Sequence, residues 1–94
     1  DLKILEGTWY GEAYLSTGNA SVILYVKGDG SYKAYGRGSG SFMVVGQITL
    51  ADRKLSFSSS RSIGTLTLHT DGKKETLRFW RADGQQGSEF ERVK

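Results

Sequence analysis

Hydrophobic side chains recur along this chain at every second position and nowhere sustain the spacing of an amphipathic helix. Trp9, Gly11, Ala13 and Leu15 alternate with Thr8, Tyr10, Glu12 and Tyr14, which predicts a first strand. After STGN, Val22, Leu24 and Val26 alternate with Ser21, Ile23 and Tyr25. KGDGS predicts a hairpin in which Asp29-Gly30 supplies the positive-φ residues of a two-residue turn. Tyr32, Ala34 and Gly36 mark a third strand, and the RGSGS that follows reads as a flexible loop. Phe42, Val44, Gly46, Ile48 and Leu50 form one face of a long fourth strand, with Met43, Val45, Gln47 and Thr49 opposite. ADRK turns into a short fifth strand with Leu55 and Phe57 inward, and SSSRS reads as a polar loop. Gly64, Leu66 and Leu68 mark a sixth strand, TDGKK a second Asp-Gly turn, and Leu77 with Phe79 a seventh strand. After ADGQQG, residues 88–93 close the series, and the one helical expectation is a turn over residues 2–5.

Eight short strands joined by turn signals about every 8–12 residues predict an antiparallel meander. Closing it removes both sheet edges, and an eight-stranded barrel has an interior that side chains fill or that holds one small ligand. The expected fold is therefore all-β, an eight-stranded antiparallel up-and-down barrel, with a two-sheet sandwich or half-open roll as the fallback. Its 94 residues read as one domain, 1–94. Two interiors are open: a filled core in which glycines let strands bend, or an apolar cavity drawn from Leu24, Tyr32, Phe42, Val44, Phe57, Leu66 and Phe79.

Composition narrows the picture. The absence of cysteine removes disulfides, thiolate metal sites and cysteine nucleophiles. Thirteen glycines without a proline suit tight hairpins between uninterrupted strands. No apolar run reaches the roughly 18–20 residues that cross a bilayer as a helix, so no membrane span is expected. The net charge of +3 is scattered rather than gathered into a stripe, which argues against nucleic acid as a partner. An OB-like single-strand binder would also need a helix between central strands, and none is predicted.

The segment GTWYGEA carries a resemblance. Gly7-Thr8-Trp9 resembles the G-x-W signature of the calycin superfamily, which holds lipocalins, fatty-acid-binding proteins and avidins. That resemblance implies a tryptophan plug at one barrel end, crossed by an arginine from late in the chain. Arg92 is the residue in that position, on the same strand face as the inward Phe90. The pattern G-T-W-x-G, D-G-x-Y, L-x-F, F-x-R-V is similar to that of short secreted bacterial barrels of unknown function, which implies a periplasmic or extracellular location. The start also looks like that of nitrobindin-type haem barrels, but the single histidine, His69, is not near the chain end, and no cofactor is expected.

On the outer faces, Tyr10, Tyr14, Ile23, Tyr25, Tyr35, Met43 and Val45 should point away from the interior, with Lys33 and Arg37 beside them. Such a patch reads as a homodimer or partner-protein contact, as a carbohydrate or peptide platform, or as plain β surface. Trp80, beside Phe79, faces outward or is turned inward by a bulge. His69 has only Asp71 as a nearby carboxylate, so no metal site is expected. Ser58, Ser59, Ser60 and Ser62 are loop serines without a nucleophile elbow, and Glu6, Glu12, Glu75, Glu89 and Glu91 read as solvated. No catalytic set is expected. The function read from the sequence is a non-enzymatic binding module for a small apolar ligand or one presenting its outer patch. The alternative is a filled barrel acting by homodimerisation or by docking on a partner protein, as an inhibitor does.

Overall fold

A computed structural model describes residues 2–15, 18–38 and 40–93, with the side chain of Leu15 excepted. Residues 16 and 17 of the STGN turn, residue 39 of RGSGS and the inward position expected for Leu15 therefore lie outside the described residues. A 3-10 helix, Leu2–Leu5, precedes β1 (Gly7–Leu15), β2 (Gly18–Val26), β3 (Ser31–Arg37), β4 (Ser41–Ala51), β5 (Lys54–Ser59), β6 (Ile63–Asp71), β7 (Lys74–Arg81) and β8 (Gln86–Arg92). Each strand pairs antiparallel with its sequence neighbour, and β1 pairs with β8, so the eight strands form a closed up-and-down barrel. The alternation read from the sequence produces this: β2 and β3 bury every second residue and leave the residues between them outside.

Closure rests on the register Trp9↔Arg92, Gly11↔Phe90 and Ala13↔Ser88, extended by the Val93 amide donating to the Thr8 carbonyl at 2.9 Å. The buried core comprises Leu5, Trp9, Val22, Leu24, Val26, Tyr32, Ile48, Phe57, Leu66, Leu77, Phe79 and Phe90, with Ala20 and Ala34. Phe42, Val44, Leu55 and Leu68 pack against it half-buried. Leu50, expected inward, is 41% exposed, because β4 runs past the barrel wall at that end and leaves Leu50 outside the core.

The first Asp-Gly turn differs from expectation. Gly30 alone has positive φ (90°), Gly30 N–H donates to Lys27 O, and Lys27 N–H donates to Ser31 O. The connection is thus a three-residue loop. Parity explains why: a two-residue turn at Asp29-Gly30 would pair Lys27 with Tyr32 and force a lysine onto the inward face. The observed register pairs Val26 with Tyr32, both inward. Ser31 donates its amide (2.9 Å) and hydroxyl (2.7 Å) to Asp29 Oδ1, which holds that carboxyl below its ordinary value.

Candidate functional site

Strand direction fixes which residues share a barrel end. The starts of the odd strands and the ends of the even strands lie at one end, with the 3-10 helix. That end is closed. Leu5 and Trp9 are fully buried, and Trp9 Nε1 donates to Leu5 O at 2.9 Å. The Arg92 guanidinium stacks 4.3 Å from the indole centre, where the resemblance placed an arginine. Its Nε donates to Glu75 Oε1 at 2.8 Å, its Nη1 to Glu6 O at 2.7 Å, and its Nη2 to Ile4 O. Glu75 is therefore not a solvated surface carboxylate but part of the plug. Glu89 and Glu91 are also ion-paired, to Arg78 at 2.7 Å and Lys74 at 2.9 Å.

The opposite end is open and leads to a cavity of about 250 Å³. Its floor is Leu24, Tyr32, Phe79 and Phe90, its walls include Ala13, Ala34, Val44 and Phe57, and Phe42 stands at the mouth. Phe79 is the hub of the aromatic floor, with ring centres 5.0 Å from Phe57, 5.5 Å from Phe90 and 5.9 Å from Tyr32. Six of the seven candidate interior residues line this space; Leu66 is buried without lining it. The cavity follows from where the small side chains fall. Ala13, Ala20, Ala34 and Gly36 belong to the open half, while Leu5, Trp9, Ile48 and Leu77 fill the closed half. At Gly36 the Phe42 ring lies so close that a Cβ would meet its Cζ at 2.1 Å, so glycine lets that ring lie across the strand pair.

Polar groups are few and placed at the edge. The Tyr32 hydroxyl is bonded to Ser59, and burial pushes the phenol up to about 12. Arg61 and Arg81 line the mouth with Ser59, Ser62 and Ser88. The Arg61 guanidinium lies 5.0 Å from the Phe42 ring centre, and Arg81 Nη2 donates to Gln85 Oε1 at 2.5 Å. The sequence pattern reads SSSRS as a polar loop, a reading that does not connect Arg61 to Arg81. The signal was available, since in a meander the end of strand five, the start of strand six and the end of strand seven meet at one rim.

The outer residues also find definite places. Tyr10, Ile23, Tyr35 and Met43 stand in one row across β1–β4, all exposed, and Tyr25 and Val45 stand in the next. Tyr25 and Tyr35 meet edge to face at 5.9 Å. Tyr14 departs from this patch: it is half-buried and reaches the cavity mouth. Trp80 lies on the outer face, where its Nε1 donates to Thr67 Oγ1 at 3.0 Å, beside a register shift between β7 and β8. His69 Nε2 lies 3.2 Å from the same oxygen, across the wall from the cavity. The Ser59 hydroxyl donates to Ser62 O at 3.1 Å and accepts from the Ser62 amide at 3.0 Å, closing the tight loop. Among the described residues no helix is long and apolar enough to cross a membrane.

A scan against protein-family models, a search of curated proteins and a search of solved structures each return no match to this chain.

Proposed function

We propose that this barrel is a non-enzymatic, calycin-like binding module that takes a small apolar molecule with a polar or acidic end through its open rim. The observation that carries the reading is the cavity of about 250 Å³, apolar in its depth and flanked by Arg61 and Arg81 at its mouth. A 150 Å³ apolar cavity accommodates benzene, so by proportion this one suits a ligand of about ten non-hydrogen atoms. Affinities for so small a ligand fall in the micromolar to millimolar range, about −4 to −8 kcal/mol. The calycin-like assignment is supported by Gly7-Thr8-Trp9 at the start of β1 together with the Arg92–Trp9 stack. A periplasmic or extracellular location is part of the same proposal and rests on that resemblance alone.

The test is titration with an environment-sensitive apolar dye, followed by competition with carboxylic acids of graded chain length. Ala34 lines the cavity between Leu24 and Val44, so Ala34→Leu fills the space with apolar volume. Dye binding should fall roughly tenfold or more in that variant, with thermal stability unchanged or raised. Short acids should displace the dye, and replacing Arg61 and Arg81 by glutamine should weaken acids more than uncharged alkanes. Wild-type protein that binds no apolar probe, or an Ala34→Leu variant that binds as well as wild type, sinks the proposal.

A further inference from the structure

The outer wall over five neighbouring strands has a partial symmetry about β2, with Tyr10 mirrored by Tyr35 and Glu12 by the opposite charge of Arg37. Across β8, β1, β2, β3 and β4, one row reads Glu91, Tyr10, Ile23, Tyr35, Met43. The row nearer the open rim reads Glu89, Glu12, Ser21, Arg37, Ser41. The row nearer the plug reads Val93, Thr8, Tyr25, Lys33, Val45. We propose that this face pairs two copies of the chain about a two-fold axis lying along β2, closed by reciprocal Glu12–Arg37 ion pairs.

Such an axis lays β1 of one copy on β3 of the other. Tyr10 then meets the partner's Tyr35, and Ile23 and Tyr25 meet their own equivalents, while β4 and β8 curve away on either side. Glu12 meets the partner's Arg37 at both ends of the contact, which is the isologous pattern of a two-fold interface. Within one chain the same two charges stand two strand spacings apart, about 10 Å, with Ser21 between them. Among the described residues Glu12 accepts only an exposed amide hydrogen bond from Asn19, and Arg37 makes no ion pair.

Exposure singles out the same face. Tyr10 and Met43 are each 53% exposed, and Ile23, Tyr25, Tyr35 and Val45 are exposed beside them. The outer wall of β5–β7 is more polar, presenting Ser56, Ser58, Thr65, Thr67 and the Arg78–Glu89 pair, with Ile63 exposed at its edge and Trp80 bonded to Thr67. Shallow grooves flank the Tyr10–Ser21 ridge, one lined by Glu12, Glu89 and Val93 and the other by Ile23, Tyr35 and Arg37. They give the side chains of a second convex wall somewhere to seat. The wall is convex, so β1, β2 and β3 carry the contact: three strands about 4.8 Å apart and three rows about 6.8 Å apart give on the order of 300 Å² per copy, from the spacing of β-strands. Stable complexes bury about 800 Å² per partner, so this dimer is weak and concentration-dependent. The face lies on the side wall and leaves the cavity mouth free, so the proposal stands or falls separately from the ligand reading.

Sedimentation equilibrium over micromolar to millimolar protein tests it. Wild type should shift from monomer to dimer mass. Glu12→Arg and Arg37→Glu each set like charges against one another and should weaken association roughly tenfold or more, whereas the double variant restores opposite charges and should return close to wild type. An equimolar mixture of the two single variants should form a heterodimer that neither forms alone. Circular dichroism confirms that each variant is folded. A wild-type chain that stays monomeric throughout, single variants that associate as before, or a double variant no better than the singles each overturn the proposal.

Discussion

The Arg92 guanidinium touches an indole face, a carboxylate and two carbonyls of the segment that covers the barrel end. A cation over an indole contributes about 0.5–2 kcal/mol, and hydrogen bonds to a charged group about 1.5–3 kcal/mol. Arg92 belongs to the last strand and is one-fifth exposed, so solvent screens part of this. Arg92→Ala should cost about 2–4 kcal/mol in urea denaturation, by the same ranges with that reduction. Arg92→Lys keeps the charge but loses the planar fork, so it should recover only a minor part. A lysine variant as stable as wild type would show that charge alone matters here. The arginine was legible in the sequence, since its parity with Phe90 points it inward. Its carboxylate partner was not: Glu75 shares the inward parity of Leu77 and stands opposite Arg92 when the Thr76↔Glu91 and Leu77↔Phe90 pairing is continued, but that register depends on the length of the β7–β8 loop, which alternation does not carry. The Leu5 carbonyl was equally hidden, because acceptance of the indole N–H depends on the 3-10 geometry of residues 2–5.

Hairpins are the elements that set the register. Lys27–Ser31 and Arg81–Gln85 use the same device: Gly30 and Gly84 take positive φ, and Asp29 and Asp83 each accept the amide two residues ahead. The Asp-Gly pairs made both positions legible, but loop length depended on face parity, which a local motif does not carry. The turn between β4 and β5 is different. Ala51 pairs with Lys54, and Asp52 and Arg53 between them have φ of 50° and 64°. Both residues of this two-residue connection are left-handed, the geometry that favours Asp-Gly, yet arginine occupies the second place. Left-handed backbone costs a non-glycine residue about 1–2 kcal/mol, and glycine returns part of that through the entropy of the unfolded chain. Arg53→Gly should therefore stabilise the protein by about 0.5–1 kcal/mol, raising Tm by a few degrees. Calorimetry showing no change or a lower Tm would mean that the turn relaxes to another type in solution.

At the scale of the molecule, closure makes the two ends unequal. The alternation of the strands gave the barrel and its inward residues, but alternation assigns faces, not levels. The level of each side chain, and hence the gathering of alanines and glycines under one rim, needed the registers of all eight pairings. Tyr32 sits where the two halves meet. It is 5% exposed, and its hydroxyl reaches Ser59 at the edge of the cavity. Burial disfavours the phenolate, so the folded pKa rises from 10.0 to about 12. Below pH 10.0 the phenol holds its proton in both states, and its contribution to stability is fully present. As pH climbs towards about 12 the unfolded chain gives up that proton first, so the folded state loses ground. Two units correspond to on the order of 2–3 kcal/mol, a substantial part of the stability of a small domain. Unfolding free energies measured from neutral pH to about pH 12 should fall steeply over the upper end for wild type and less steeply for Tyr32→Phe. A bound apolar ligand covering the phenol should push the fall higher still. Parallel curves for wild type and Tyr32→Phe would show that the phenol is hydrated through the open rim, and the apolar depth of the cavity would go with it.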